Sequence, residues 1–320
     1  MSYYAGVDLG ATSIRAVVGD HDETERGTDS RYTPQGPSGM AVTETVLATL
    51  RTACREADVE PDDLAAVGIG SIGPLDLAEG VITAPSNLPD HVERIPLTGP
   101  VEQLVDAPVY LHNDTTAGVI GERYYAERNP DDMVYLTISS GIGAGVCIDG
   151  HVLSGWDGNA GEVGHVTVDP SGAMACGCGK RGHWEAYCSG EGIPRYADYL
   201  HDGEPTTLDP SRPGFDAAAV FDAASEDEFA DAVLERVAEW NAIGAATVVH
   251  AYAPIVIHVG GSVALENPWL VEDIQKRLGD LVMSNVPEVR LARLGEDAVV
   301  HGALASAMTG ATGSRQRTRR

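Results

Sequence analysis

Tyr3–Asp20 reads YYAGVDLGATSIRAVVGD, two apolar runs broken by a short turn after Leu9. The first run has the length of a buried strand, and the second alternates as an antiparallel neighbour does. In the turn, Gly10 lets the backbone approach a ligand, while Asp8 and Thr12 bring oxygen groups beside it. Backbone N–H groups at Gly10, Ala11 and Thr12 would hold a phosphate there, with Asp8 facing its Mg²⁺. A plain β-hairpin with an Asp chosen for turn chemistry carries the same residues. The stretch therefore settles a hairpin at the start of the fold before it settles a function.

Outward from this hairpin, strands and helices alternate. AVTETVLATLRTACREA, from Ala41 to Ala57, spaces its apolar residues as a helix does, and LAAVGIGS after it reads as a buried parallel strand. PVYLHND ends a further strand in polar residues that can cap a helix through TTAGVIGERYYAE. MVYLTISSGIGAGVCIDG reads as two strands around a Gly-rich turn. EFADAVLERVAEWNAIGAATVVHAY predicts a long helix and PIVIHVGGS a strand stopping at a Gly pair, while 202–214 predicts a surface loop and ALASAMTG a closing helix. Such alternation makes an α/β protein.

Among the chain's 320 residues, 48 Asp and Glu stand against 21 Lys and Arg, a formal net charge of −27. Such a surface repels phosphate backbones, which argues against nucleic-acid binding. Only Lys180 and Lys276 are lysines, a composition that resembles halophilic cytoplasmic proteins, where salt screens the repulsion. An ordinary acidic protein is the plainer alternative. No stretch approaches the roughly 20 apolar residues of a membrane helix, the N-terminus has no charged region of a signal peptide, and five cysteines lack a disulfide framework. A cytoplasmic location is expected.

Two further Gly-rich turns follow predicted strands. SSGIGAG includes Gly141 and Gly143, and VGGS includes Gly260 and Gly261; together with the first turn they point to a nucleotide site. In HND, Asp114 stands where a strand meets a helix, placed either to take a proton from a hydroxyl attacking phosphorus or only to cap the helix. GNAGEVGH sets Glu162 and His165 three apart, a spacing that presents both to one polyol. His165, Cys176, Cys178 and His183 then form a pattern H-x10-C-x-C-x4-H of the ligand types that tetrahedral zinc accepts, with Gly177 and Gly179 permitting the tight turn between the cysteines. Two unligated thiols in a loop are the alternative.

These motifs, in this order, resemble the ROK family (repressors, open reading frames and kinases) of sugar kinases, built on the actin-like ATPase fold. DLGATSIR is similar to its first phosphate motif, HNDTTAGVIGE to its catalytic motif, SSGIGAG to its second phosphate motif, GNAGEVGH with CGCGKRGHWE to its sugar and zinc signature, and VGGS to its adenosine motif. The resemblance implies two α/β domains flanking a cleft: a small one of residues 1–113 plus about 298–310, and a large one of 114–297 with the zinc loop, leaving 311–320 as a disordered basic tail. It implies Asp114 as general base, and Asn87, Asn113, Asp114, Glu162, His165 and Glu185 as sugar ligands. Asp8, Gly10, Ala11, Thr12, Gly141, Gly143, Gly260 and Gly261 would serve the nucleotide, with Mg²⁺ accompanying ATP. His165, Cys176, Cys178 and His183 would hold a structural zinc.

Two positions depart from the family pattern. His183 stands where a third cysteine is usual, and Ala11 where a second glycine is usual, which is tolerable only if its φ stays negative. The expected activity is ATP-dependent phosphorylation of a hexose, most often glucose, by in-line transfer. Fructose, mannose or N-acetylmannosamine are alternative acceptors, polyphosphate an alternative donor, and a non-catalytic sugar sensor an alternative class. A repressor is not expected, because its helix-turn-helix domain would precede the first strand. The resemblance also implies a homodimer or homotetramer.

Overall fold

The computed structural model describes residues 2–22, 24–85, 87–156 and 158–314. The chain forms two compact units: Met1–Asp131 with Gly145–Gly161 and Asp297–Arg320, and Asp132–Ala144 with Glu162–Glu296.

The first unit runs β1 (Tyr3–Leu9), β2 (Ser13–Asp20), β3 (Glu25–Tyr32), α1 (Gly39–Glu56), β4 (Leu64–Ser71), three short strands β5 (Leu75–Asp76), β6 (Val81–Thr83) and β7 (Arg94–Pro96), then α2 (Thr98–Val105), β8 (Val109–Asn113) and α3 (Asp114–Tyr125). Its sheet has the order β3-β2-β1-β4-β8, and β5, β6 and β7 form a small sheet of their own. As the hairpin reading requires, β1 pairs antiparallel with β2, opposing Asp8 to Arg15, while β4 lies parallel to β1 and to β8. Val42, Val46, Leu50 and Ala53 recur at helical spacing along α1 and are fully buried with the apolar residues of β1, β2 and β4. That periodicity is what makes the segment a helix packed on one sheet face.

After α3 come β9 (Met133–Ile138), β10 (Ile142–Ile148) and β11 (His151–Val152), of which β9 and the start of β10 belong to the second unit and residues from Gly145 to Gly161 to the first. The second unit resumes with α4 (Glu185–Cys188), α5 (Gly192–Leu200), α6 (Ala217–Asp222), α7 (Glu228–Tyr252), β12 (Val256–Gly260), α8 (Ser262–Glu266), α9 (Trp269–Leu281) and β13 (Glu288–Leu291). The second sheet has the order β11-β10-β9-β12-β13. β12 is buried along its whole length and parallel to both β9 and β13, which is why PIVIHVGGS reads as an unbroken apolar run. Asp227 caps α7 by accepting from the Phe229 and Ala230 amides, and it also accepts from both Thr206 and Thr207 hydroxyls. The same carboxylate thus starts a helix and pins the 202–214 loop.

The closing helix α10 (Ala298–Thr309) belongs to the first unit. The units differ from the division expected from sequence, which assigned 114–297 to one domain. Contacts place α3 in the first unit, because Ile120 and Tyr124 of α3 share a buried cluster with Ala305 of α10. Residues 311–314, expected to open the tail, are described and packed against α3 and the segment after it. Arg123, 1 % exposed, donates to the Thr312 carbonyl at 3.0 Å, and Asn129 donates to that of Gly313 at 3.0 Å; residues 315–320 lie outside the described residues.

Candidate functional site

The turn between β1 and β2 is closed by Gly10 N donating to the Ser13 carbonyl at 2.9 Å, and Thr33 Oγ1 donates to the Gly10 carbonyl at 2.8 Å. Ala11 is not among the described non-glycine residues with positive φ, so its methyl group brings no backbone strain to the turn. Thr12 is exposed beside it. Asp8 is buried, and the structure gives it a cation from its own hairpin: Arg15 Nη2 and Nε reach Asp8 Oδ2 at 2.7 and 3.2 Å, and Arg15 Nη1 reaches Asp297 at 2.7 Å. Burial nonetheless raises the Asp8 carboxyl, outweighing the attraction of Arg15. Arg15 was not singled out from sequence, yet the hairpin register carries the signal, since a turn centred between Ala11 and Thr12 sets residue 15 opposite residue 8.

At the junction of β8 and α3 the two polar residues divide their duties. Asn113 is the N-cap, its Oδ1 accepting from Thr115 N at 3.0 Å and from the Thr115 hydroxyl at 2.7 Å. Asp114 follows as the first helical residue, with Oδ1 2.7 Å from Thr115 N. The cap is therefore Asn113, and the view of Asp114 as the capping residue does not hold. Asn87 is exposed in the segment between β6 and β7.

In the second unit the turn between β9 and β10 is closed by Ser139 N donating to the Gly141 carbonyl at 2.9 Å. Glu185 Oε2 sits on this turn and accepts from Ile142 N at 3.0 Å. A Cβ on Gly141 would lie 2.7 Å from that oxygen, so only glycine lets the carboxylate seat here. Gly143 lies one residue further along, in β10. Gly260 ends β12, Gly261 adopts φ +85°, and Ser262 Oγ then lies 3.1 Å from Ser139 Oγ, joining the VGGS and SSGIGAG turns. A cavity of about 520 Å³ is lined by Gly190, Glu191, Arg195, Arg212, Phe215 and Asp216. It adjoins the same turn, since Gly190 N donates to the Ser139 carbonyl at 2.7 Å. The sequence carries no signal for this cavity, because its walls come from α5 and its flank and from an irregular loop whose return onto that helix no motif or apolar spacing reports.

Glu162, His165, Cys176, Cys178, His183 and Glu185 converge within the second unit. His165 Nδ1 is 3.6 Å from Cys176 Sγ, while its Nε2 is 3.7 Å from Glu162 Oε2, so one imidazole faces both sets of residues. Cys178 Sγ is 3.3 Å from His183 Nδ1, and all four candidate ligand atoms lie within 4.8 Å of one another. An ion held at about 2.3 Å from sulfur and 2.0–2.1 Å from nitrogen in a tetrahedron requires S···N separations near 3.5 Å. The side chains fit zinc, with His183 supplying a nitrogen where the family usually has sulfur. The hairpin that presents them is closed by Cys176 N donating to the Lys180 carbonyl at 2.8 Å and by Gly179 at φ +82°.

Burial raises two groups of this cluster, Cys176 and Glu162. It pushes the Cys176 thiol up to about 12, and it raises Glu162, where the pull of His165 is the weaker influence and the negative Glu185 adds to the rise. A divalent cation among these groups would oppose the rise at Cys176 by favouring its thiolate.

The sequence model of the ROK family matches residues 4–309. The chain is 35% identical over 312 residues to the glucokinase of Pyrobaculum calidifontis, covering 96% of this chain and 95% of that one. Its fold is similar to that of the ROK hexokinase from Thermus thermophilus, with a TM-score of 0.84, 33% identity and coverage of 98% and 100%. It is also similar to a ROK family glucokinase from Streptomyces griseus in complex with glucose and AMPPNP, with a TM-score of 0.76, 30% identity and coverage of 96% and 99%. These neighbours place the two α/β units in the actin-like ATPase fold. From residue 4 to residue 309 this chain belongs to the ROK family.

Proposed function

We propose that the protein is a glucokinase, transferring the terminal phosphoryl group of ATP to the 6-hydroxyl of glucose. The observation that carries this reading is the junction of β8 and α3, where Asn113 takes the capping duty and Asp114 stands beside it at the start of the helix. It is supported by full-length likeness to a glucokinase from Pyrobaculum calidifontis and by a Streptomyces griseus relative that holds glucose and AMPPNP.

In this reading Asp114 accepts the proton of the sugar hydroxyl as its oxygen bonds to the γ-phosphorus and the bond from that phosphorus to the ADP oxygen breaks. Asn87, Asn113, Glu162, His165 and Glu185 hold the other hydroxyls. Gly10 N is spent on the Ser13 carbonyl, so amides of Ala11 and Thr12 and of the SSGIGAG turn take up charge on the phosphates, and the nucleoside occupies the cavity beside Gly190. Mg²⁺ bound with ATP would supply charge neutralisation on the phosphates, with Asp8 the nearest carboxylate of the first turn. Zinc held by His165, Cys176, Cys178 and His183 is structural in this reading, since four protein ligands leave no open position. Ala11 brings no backbone strain to the first phosphate turn, so this departure from the family pattern gives no ground for preferring a non-catalytic sensor.

A cytoplasmic, salt-adapted enzyme, assembled as a homodimer or homotetramer, completes the proposal; the net charge of −27 supports the salt adaptation. Among the described residues no helix is long and apolar enough to cross a membrane. The test is ADP release by the purified protein with Mg-ATP in high KCl, comparing no sugar, glucose, fructose, mannose and N-acetylmannosamine. Release that depends on glucose is expected. Release independent of sugar, or none with any of them, overturns the hexose kinase.

A further inference from the structure

Among the described residues between β11 and α4 there is no regular strand, only a short 3-10 turn at Val163–His165 and two isolated bridges, Thr167 with His183 and Ala175 with Arg181. The candidate metal ligands nevertheless converge. The contacts that shape this segment centre on Asp169, 7 % exposed, and Tyr187, 1 % exposed.

Asp169 grips both limbs of the hairpin. Its backbone N–H donates to the Gly182 carbonyl at 3.1 Å, beside His183. Its carboxylate accepts from Ser171 N at 2.9 Å, the Ser171 hydroxyl at 2.9 Å and Ala173 N at 3.0 Å, which fixes the limb leading to Cys176. Tyr187, on α4 two residues past Glu185, donates its hydroxyl to Asp169 Oδ2 at 2.5 Å and accepts from Met174 N at 3.0 Å. The pair therefore links three things: the limb of Cys176, the limb of His183, and the helix that starts at Glu185. All of these contacts are made by protein atoms alone.

We propose that Asp169 and Tyr187 are positioning residues which pre-assemble the cysteine-histidine hairpin and set it in register with Glu185, so that zinc completes a shaped site instead of building one. The inference rests on the zinc and hexose reading above. Removing the phenolic hydroxyl of Tyr187 loosens Met174 and Asp169 together, and so reaches both the metal ligands and the sugar-holding carboxylate without touching either.

Tyr196 provides a matched control. It is 3 % exposed, its ring centroid lies 5.0 Å from that of Tyr187, and its hydroxyl accepts from Trp240 at 3.1 Å, away from the hairpin. The experiment measures zinc affinity by competition with a chromogenic chelator, together with kcat and KM for glucose, on the full-length wild type, Tyr187→Phe, Tyr196→Phe and Ser171→Ala.

Tyr187→Phe is expected to lose about tenfold or more in zinc affinity and to raise the KM for glucose while kcat holds. Tyr196→Phe is expected to match the wild type in both. Ser171 is exposed, so Ser171→Ala folds and shows a smaller shift in the same direction. Tyr187→Phe indistinguishable from Tyr196→Phe in both readouts overturns the positioning role. A wild type without measurable zinc affinity overturns the zinc reading by itself, and the glucose KM of Tyr187→Phe against Tyr196→Phe still decides whether the pair positions Glu185.

Discussion

The hairpin at residues 8–15 and the loop at 162–185 both present polar groups for chemistry, and they are shaped by different means. In the hairpin, strand register does the positioning: β1 against β2 sets Arg15 opposite Asp8, and one backbone hydrogen bond closes the turn. In the loop there is almost no ladder, and side chains take over, with four candidate metal ligands on one side and the Asp169–Tyr187 pair behind them. The difference teaches where each region is vulnerable. A register survives many side-chain changes, whereas a loop assembled from side chains depends on a few of them.

The largest expected effect is at the β8–α3 junction, where the end of a strand, as in the hairpin, sets the position of the proposed base. Asp114→Asn keeps the β8–α3 junction, because the cap is Asn113, and is expected to lower kcat by about 10²–10⁴ with glucose affinity retained. Steady-state kinetics beside calorimetric glucose binding check this; a variant that loses sugar binding in proportion would merge the two regions that the comparison separates.

On the zinc reading, treatment with a strong chelator addresses the other side. The KM for glucose is expected to rise by about tenfold or more, while the KM for ATP stays put, and adding zinc back restores the original value. An equal rise in both KM values would break the contrast. Ala11→Gly is the smallest change: the turn keeps its hydrogen bonds, activity stays as it was, and stability falls by about 0.4–1 kcal/mol through the freer unfolded chain, readable as a small drop in Tm.

Legibility in the sequence follows the same divide. The central strands, α1, α3, α7 and α10 were readable because apolar spacing reports burial directly. β3 was not, because ERGTDSRY is an edge strand with most residues exposed and no apolar alternation, and β13 has only four residues. His165, Cys176, Cys178 and His183 were legible because metal chemistry restricts ligand types and spacing. Asp169 with Tyr187 was not, since an Asp and a Tyr 18 positions apart carry no signal until the chain is folded. The cavity beside Gly190 stayed hidden for the same reason.

Trp184 stands between His183 and Glu185, fully buried, with its indole N–H donating to Asn241 of α7 at 2.9 Å. The ring lies directly over Gly244, where a Cβ would come within 2.2 Å of it. Position 244 therefore has its size dictated by a residue sixty places earlier in the chain, and a helix interior accepts a glycine that weakens it by about 1 kcal/mol relative to alanine. The two sites share one volume and can drift only as a pair: a larger residue at 244 demands a smaller one at 184, and any such exchange moves the segment that carries both a candidate metal ligand, His183, and a proposed sugar ligand, Glu185.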